Sequence, residues 1–194
     1  LRRSRGLGDV YKRQLLLILF ISINSPIKAD SNLNLINELK KGGNLIFIRH
    51  AYAPGGGDPN NFNINDCKTQ RNLSNKGREQ AKKIGSFFKD NNIPIDQIYS
   101  SEWCRCKETA LIAFNKFETK IFLNSFFSSQ FVKNKDIQMK KLKSFIKNWN
   151  KNKNLVFVTH YVVIAESLNY APSSGEIVIS NKNFKVIDTI EIEY

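Results

Sequence analysis

Apolar positions recur along this chain with two periods, and the chain alternates between them. From Ser31 to Lys41, Leu35, Ile36 and Leu39 fall at helical spacing, and Gly42-Gly43 predicts the stop. Leu45 to Ile48 is a short, continuous apolar run of the kind that forms a buried strand. Ser74 then caps a helix whose Gly77, Ala81, Ile84 and Phe88 share one face. A strand is expected around Gln97 to Tyr99, a helix from Trp103 to Asn115, and a strand near Ile121 to Leu123. A helix from Lys135 to Trp149, the strand Leu155 to Val158 and a helical stretch around Val163 to Asn169 follow. The tail from Glu176 to Glu193 alternates apolar and polar residues about a turn at Asn181 to Asn183, which predicts an edge hairpin.

Strands alternating with helices predict an α/β domain. The expected form is a three-layer sandwich, with a mostly parallel sheet between helices and a hairpin at its C-terminal edge. Residues 52 to 73 hold Pro54, three consecutive glycines, Pro59 and several asparagines, which is loop composition. A loop that long inside a small domain is usually functional.

The N-terminal part belongs to a different class. Leu15 to Ile23 is apolar, Asn24, Ser25 and Pro26 break the run, and Ala29 offers a small residue for cleavage. That is the pattern of a secretory signal peptide, too short to span a bilayer comfortably. Before it, LRRSRGLGDVYKRQ resembles translated adaptor read-through, and Met139 is the only methionine. Residues 1–14 are therefore read as a non-native leader, 15–29 as a signal peptide and 30–194 as a single domain. An exported chain, periplasmic or secreted, with no stable membrane span after cleavage, is the expectation.

That division changes the charge. Six of the 30 basic residues and one of the 17 acidic ones precede residue 30, so the net falls from +13 to +8. A positive surface steers anionic substrates. The lysines are scattered, with neither zinc-finger spacing nor an aromatic RNA-binding signature, so a nucleic-acid partner is not expected. Of three cysteines, Cys104 and Cys106 lie two apart on a predicted helix and face different ways. Cys67 can pair with either, leaving one thiol free.

One duplication carries the chemistry. Asn44-Leu45-Ile46-Phe47-Ile48-Arg49-His50 and Asn154-Leu155-Val156-Phe157-Val158-Thr159-His160 share the pattern N-L-(I/V)-F-(I/V)-x-H, and His50 and His160 are the only two histidines. Each ends a buried strand, on the edge where open α/β sheets bind ligands. Arg49 adjoins His50, and Ser101 is positioned to cap a helix carrying Arg105 in its first turn. A helix N-terminus with an arginine suits an anion, since the guanidinium donates two parallel hydrogen bonds to phosphate.

These segments resemble the histidine phosphatase (phosphoglycerate mutase-like) superfamily. IRHA at Ile48–Ala51 is similar to its R-H-G signature, with Ala51 for glycine, and RNLSNKGREQA at Arg71–Ala81 is similar to the start of its first long helix. SEWCRCKETA at Ser101–Ala110 resembles its S-x-x-x-R-x-x-x-T-A segment, and VFVTHYVVI at Val156–Ile164 the strand delivering its second histidine. PSSGEIVI at Pro172–Ile179 further resembles a branch of secreted bacterial members.

The resemblance implies a metal-independent and cofactor-free phosphoric monoester hydrolase. His50 would be the nucleophile, with Arg49, Arg105 and His160 around the phosphoryl oxygens and Arg71 and Tyr161 as further substrate contacts. The implied substrate is a phosphorylated small molecule, an envelope sugar phosphate or a phosphoprotein. A mutase fits less well with export. Tyr161 stands where acid-phosphatase relatives carry an aspartate after the second histidine, and Leu123–Phe127 holds no carboxylate. The general acid is thus unassigned among Asp58, Asp66 and Glu102. A missing acid costs roughly a hundred- to ten-thousand-fold on alkyl phosphates. The alternatives are a non-catalytic phosphoanion-binding module of the same fold and, on charge alone, a basic envelope-binding protein.

Overall fold

The two copies of the duplicated pattern lie side by side. In the computed structural model, which describes residues 27–149 and 152–194, β1 (Leu45–Arg49) and β4 (Asn154–Thr159) pair in parallel. Leu45 faces Leu155, Phe47 faces Phe157 and Arg49 faces Thr159. Around them run α1 (Ile27–Lys41), α2 (Asn75–Asp90), β2 (Ile95–Ser100), α3 (Cys104–Phe114), β3 (Glu118–Thr119), α4 (Lys135–Lys147), α5 (Tyr161–Leu168), β5 (Ile177–Ser180) and β6 (Val186–Ile190). The six strands form one sheet in the order β3-β2-β4-β1-β5-β6. β1 to β4 are mutually parallel, β5 is antiparallel to β1, and β5 with β6 makes the expected C-terminal edge pair.

Strand alternation divides the core in two. Ile46 and Ile48 point to one face of the sheet, where Leu35 and Leu39 of α1, Ile84 and Phe88 of α2, and Ala110 of α3 cover them. Leu45 and Phe47 point to the other, against Met139, Leu142 and Ile146 of α4 and Ile164 of α5. Both faces of β1 and β4 are thus buried, which is why their sequences read as unbroken apolar runs. The three-layer α/β architecture follows.

The strand expected at Ile121–Leu123 is instead a 3₁₀ turn, and the edge strand lies earlier, at Glu118–Thr119. Phe122 and Leu123 are consecutive, yet both are buried in the cluster under α4. A pleated strand would send them to opposite faces, so the backbone coils. α1 begins at Ile27, earlier than the apolar spacing predicts, so its first residues fall in the segment read as signal peptide. The adaptor-like stretch 1–14 and the apolar run 15–23 lie outside the described residues.

The asparagines that open the two repeats tie the sheet at the edge opposite the histidines. Asn44 donates its backbone N–H and its side-chain amide to Asn154 Oδ1, at 3.2 and 3.1 Å. Asn154 Nδ2 in turn donates to the carbonyls of Leu39 (2.7 Å) and Pro94 (2.9 Å). One buried amide therefore joins α1, β1, β4 and the entry to β2. Asn154→Ala strands these partners and is expected to cost about 1–3 kcal/mol. Urea denaturation at neutral pH checks this, and an unchanged midpoint would remove the clamp from the account of stability.

Candidate active site

His50 and His160 leave the carboxyl ends of β1 and β4, and the strand register sets them together. The His50 N–H donates to Thr159 O at 2.9 Å, and the rings meet edge-on with centroids 5.5 Å apart. Both are buried. His50 Nδ1 lies 2.8 Å from Ala51 O. A carbonyl can only accept, so Nδ1 carries the hydrogen and Nε2 keeps its lone pair. The backbone beyond is fixed by the Ala51 N–H on Thr109 Oγ1 (3.0 Å) and the Tyr52 N–H on Gln80 Oε1 (2.8 Å). Gly77 permits this approach, because a Cβ there would lie 2.0 Å from Tyr52 O.

The neighbours of His160 fix its hydrogens in the same way. Asn124 Nδ2 donates to Glu102 at 2.6 Å, so its Oδ1 is the acceptor for the Ser101 hydroxyl at 3.1 Å. Ser101 Oγ, its proton spent, accepts from His160 Nε2 at 2.8 Å. His160 Nδ1 is then the acceptor facing Arg105 Nη2 at 3.5 Å. Ser101 accordingly orients His160; the residue flanking α3 is Trp103, which makes no side-chain cap, contrary to the expected role of Ser101. The Trp103 N–H does reach Ser101 Oγ, at 3.3 Å.

Three arginines close around the histidines. Arg105, in the first turn of α3, is 3% exposed. Arg49 ends β1 and donates to Pro172 O at 2.8 Å, and Arg71, from the long loop, donates to Ala53 O. Among the described residues, four buried side-chain polar atoms have no partner, and three of them are the Nε atoms of Arg49, Arg71 and Arg105. All three arginines line one cavity of about 550 Å³ with His50, His160 and Tyr161, whose ring lies 5.7 Å from the Arg49 guanidinium carbon. All six residues expected from the sequence are thus brought together.

Among the described residues, Asp58 is the only carboxylate lining that cavity. It pairs with Arg105 Nη1 at 2.7 Å and Nη2 at 3.2 Å, and accepts from Trp103 Nε1 (3.0 Å) and the Arg71 N–H (3.0 Å). The other two candidate acids are occupied elsewhere. Asp66 caps the 3₁₀ turn Cys67–Thr69, and Glu102 holds Asn124. The Cys67–Cys104 disulfide fastens the loop to the start of α3, and Cys106 is the free, buried thiol. Burial pushes Cys106 up to about 12, so it stays protonated 3.5 Å from His160 Nε2. Among the described residues no three His, Cys, Asp or Glu side chains group as a metal site requires.

The charges settle accordingly. Burial, and then the positive charge of Arg105, hold both His50 and His160 well below the ordinary histidine value of 6.5. Burial alone would raise Asp58, but the Arg105 pair and the two N–H donors bring it below its ordinary value. At neutral pH the site is two neutral imidazoles, three guanidiniums and one carboxylate. It can present a neutral nitrogen nucleophile to a bound anion.

A buried histidine pair with arginines beside it at the carboxyl ends of parallel strands has the charge and donors suited to an oxyanion. Residues 45–126 match the model of the histidine phosphatase superfamily (branch 1), a stretch that includes His50, Arg71 and Arg105. The fold is similar to that of TTHB049 from Thermus thermophilus, at 14% identity and a TM-score of 0.55, over 77% of this chain and 99% of that one. It is similar to a phosphoglycerate mutase from the same organism at 14% identity and 0.54, over 77% and 99%. A tungstate complex of the protein histidine phosphatase SixA gives 12% identity and 0.53, over 76% and 96%. The sequence matches no curated protein.

The depressed histidines make stability pH-dependent with a definite sign. Unfolded, each takes a proton near pH 6.5; folded, each resists until lower pH. Their contribution is intact above about 6.5 and is lost as pH falls, by up to about 1.4 kcal/mol per unit for each histidine. Urea midpoints between pH 7.5 and 5.5 should fall less steeply for His160→Gln than for wild type. Equal slopes would mean that His160 is not held neutral.

Proposed function

We propose that this chain is a phosphomonoesterase acting through a phosphohistidine on His50. The observation that carries the reading is the set of three arginines lining one cavity with an imidazole whose Nε2 lone pair is free. Guanidiniums grouped in this way suit the oxygens of a phosphoryl group. Nε2 of His50 attacks phosphorus in line, the bond to the leaving oxygen breaks, and that oxygen departs with the electron pair. The guanidiniums of Arg49, Arg71 and Arg105 take up charge on the three equatorial oxygens. Water then attacks the phosphorus, the P–N bond breaks, and His50 returns neutral as inorganic phosphate leaves. His160 holds Arg105 and Ser101 in place, and a bound dianion favours its protonation, which turns Nδ1 into a donor.

Asp58 bears on the substrate. Ionised and clamped on Arg105, it has no proton to give a departing alkoxide. The chemistry therefore suits leaving groups that are stable as anions, such as acyl phosphates, or phosphohistidine, where a nitrogen leaves. The protein histidine phosphatase among the similar structures is named for that second class. A binding module of the same fold would keep the arginines and take no label. A labelled acyl phosphate offered to the full chain, quenched in alkali, should label wild type and leave His50→Ala unlabelled. Phosphate binding with no label on either would support the module instead.

Export belongs to the same reading, in line with the resemblance to secreted bacterial members. The apolar run at Leu15–Ile23 and the small Ala29 support it, as does the Cys67–Cys104 disulfide, a bond that persists in oxidising compartments. Among the described residues no helix is long and apolar enough to cross a membrane. N-terminal sequencing of the periplasmic protein, expressed behind an added start codon, should read from Asp30. Uncleaved protein confined to the cytoplasm would refute export.

A further inference from the structure

A second, larger cleft of about 770 Å³ adjoins the phosphoryl pocket. Phe62, Trp103, Ser125, Gln130 and Phe131 line both cavities, so the two adjoin across that shared wall. Phe62 stacks on Trp103 with centroids 5.1 Å apart, and Phe131 meets each of them edge-on at 5.6 Å. Beyond this aromatic ridge the cleft is bounded by Ile64, Ile121 and Ile137.

Glu102, Lys141 and four asparagines also line the cleft, but two features favour an apolar occupant. Its buried polar groups are already engaged: Asn124 with Glu102 and Ser101, and Gln138 with Asn124 O at 2.8 Å. Its rim also exposes large apolar side chains. Ile121 and Ile137 are each 62% exposed, and Phe127, at the mouth of the phosphoryl pocket, is 68% exposed. With Val132, four of the nine exposed large hydrophobics among the described residues fall between positions 121 and 137. A concentration of exposed apolar surface beside a polar pocket marks a binding site.

We infer that this cleft seats the leaving group of the substrate, and that the substrate is amphiphilic: a phosphoryl head joined to an extended apolar chain. This rests on the phosphatase reading above. The wall shared with the arginine pocket argues that the occupant is covalently attached to the phosphoryl group and is not a separate partner. The ionised Asp58 narrows the linkage, because the chain must leave as a stable anion. A long-chain acyl phosphate meets both demands, releasing a carboxylate that needs no proton. His50 forms the P–N bond, the acyl C–O–P bridge breaks at phosphorus, and the fatty carboxylate departs with the electron pair.

The test compares short and long chains bearing the same head on the full-length protein, below micellar concentrations. Calorimetry measures binding of methylphosphonate and decylphosphonate, and turnover is measured with acetyl phosphate and decanoyl phosphate, whose carboxylates leave with similar ease. A fully buried methylene is worth about fourfold, so burial of three or four of them predicts a gain of roughly a hundredfold for the long chain in both assays. Ile121→Asp and Ile137→Asp, at exposed positions, should each cut that gain at least tenfold and leave methylphosphonate affinity and acetyl phosphate turnover at wild-type levels. Equal affinity for the two phosphonates, or a gain that survives both substitutions, overturns the inference. A long-chain binding gain without turnover of either acyl phosphate would sink the phosphatase reading and keep the cleft. Turnover of both acyl phosphates at equal efficiency would do the reverse.

Discussion

The in-register pairing of β1 with β4 is the constraint on which the site depends. Arg49 faces Thr159 in the ladder, so the residues that follow, His50 and His160, emerge at the same height, and the His50 N–H closes the pairing on Thr159 O. A slip of one residue would turn Phe47 and Ile48 to the wrong faces, and both faces are buried, so the core forbids it. The asparagine clamp at the far end of the same two strands acts in the same direction. The packing that stabilises the sheet is also what places two imidazole rings 5.5 Å apart.

Around that pair the electrostatics are unequal. Three arginines converge on buried ground, and one carboxylate, Asp58, offsets one of them. Such a collection costs stability by desolvation and mutual repulsion, and the fold meets the cost by tethering. The long loop carrying Asp58 and Arg71 is fixed by the disulfide to α3, by Gln70 Oε1 on the Cys104 N–H (2.9 Å), and by Asp58 itself on Arg105 and Trp103. The glycines at 55–57 let the chain turn into the pocket, with positive φ at Gly55 and Gly57. The unmet Nε–H groups of all three arginines are the remainder of that imbalance.

Much of this was legible in the sequence, for reasons that can be stated residue by residue. Strands buried on both faces betray themselves as apolar runs, and a pattern repeated with a histidine at the same offset fixes two site residues at once. Arg105 was legible because helix starts and arginines are both recognisable locally. What was hidden depends on tertiary contact. Phe122 and Leu123 look like a strand until the cluster under α4 draws both to one side. Ser101 looks like a helix cap until Asn124, more than twenty residues away, takes its hydroxyl. The pairing of Cys67 with Cys104 and not with Cys106 was equally invisible, because it depends on which face of α3 meets the loop.

Asp58 shows how a hidden contact can change a functional conclusion. By type and position it could have been the missing general acid. A general acid needs a raised pKa, and so a carboxylate with burial and few cationic neighbours. Asp58 has burial, but two guanidinium nitrogens, an indole N–H and a backbone N–H all favour its charged form. The contacts that let the protein bury Arg105 therefore remove the proton donor from the pocket. Without that donor, the proposed reaction depends on what the substrate can release unaided. On the proposed reading, the cleft across the Phe62–Trp103–Phe131 ridge describes the same leaving group from the side of its shape. On that reading, charge on one side of the ridge and exposed apolar side chains on the other describe a single molecule lying across it.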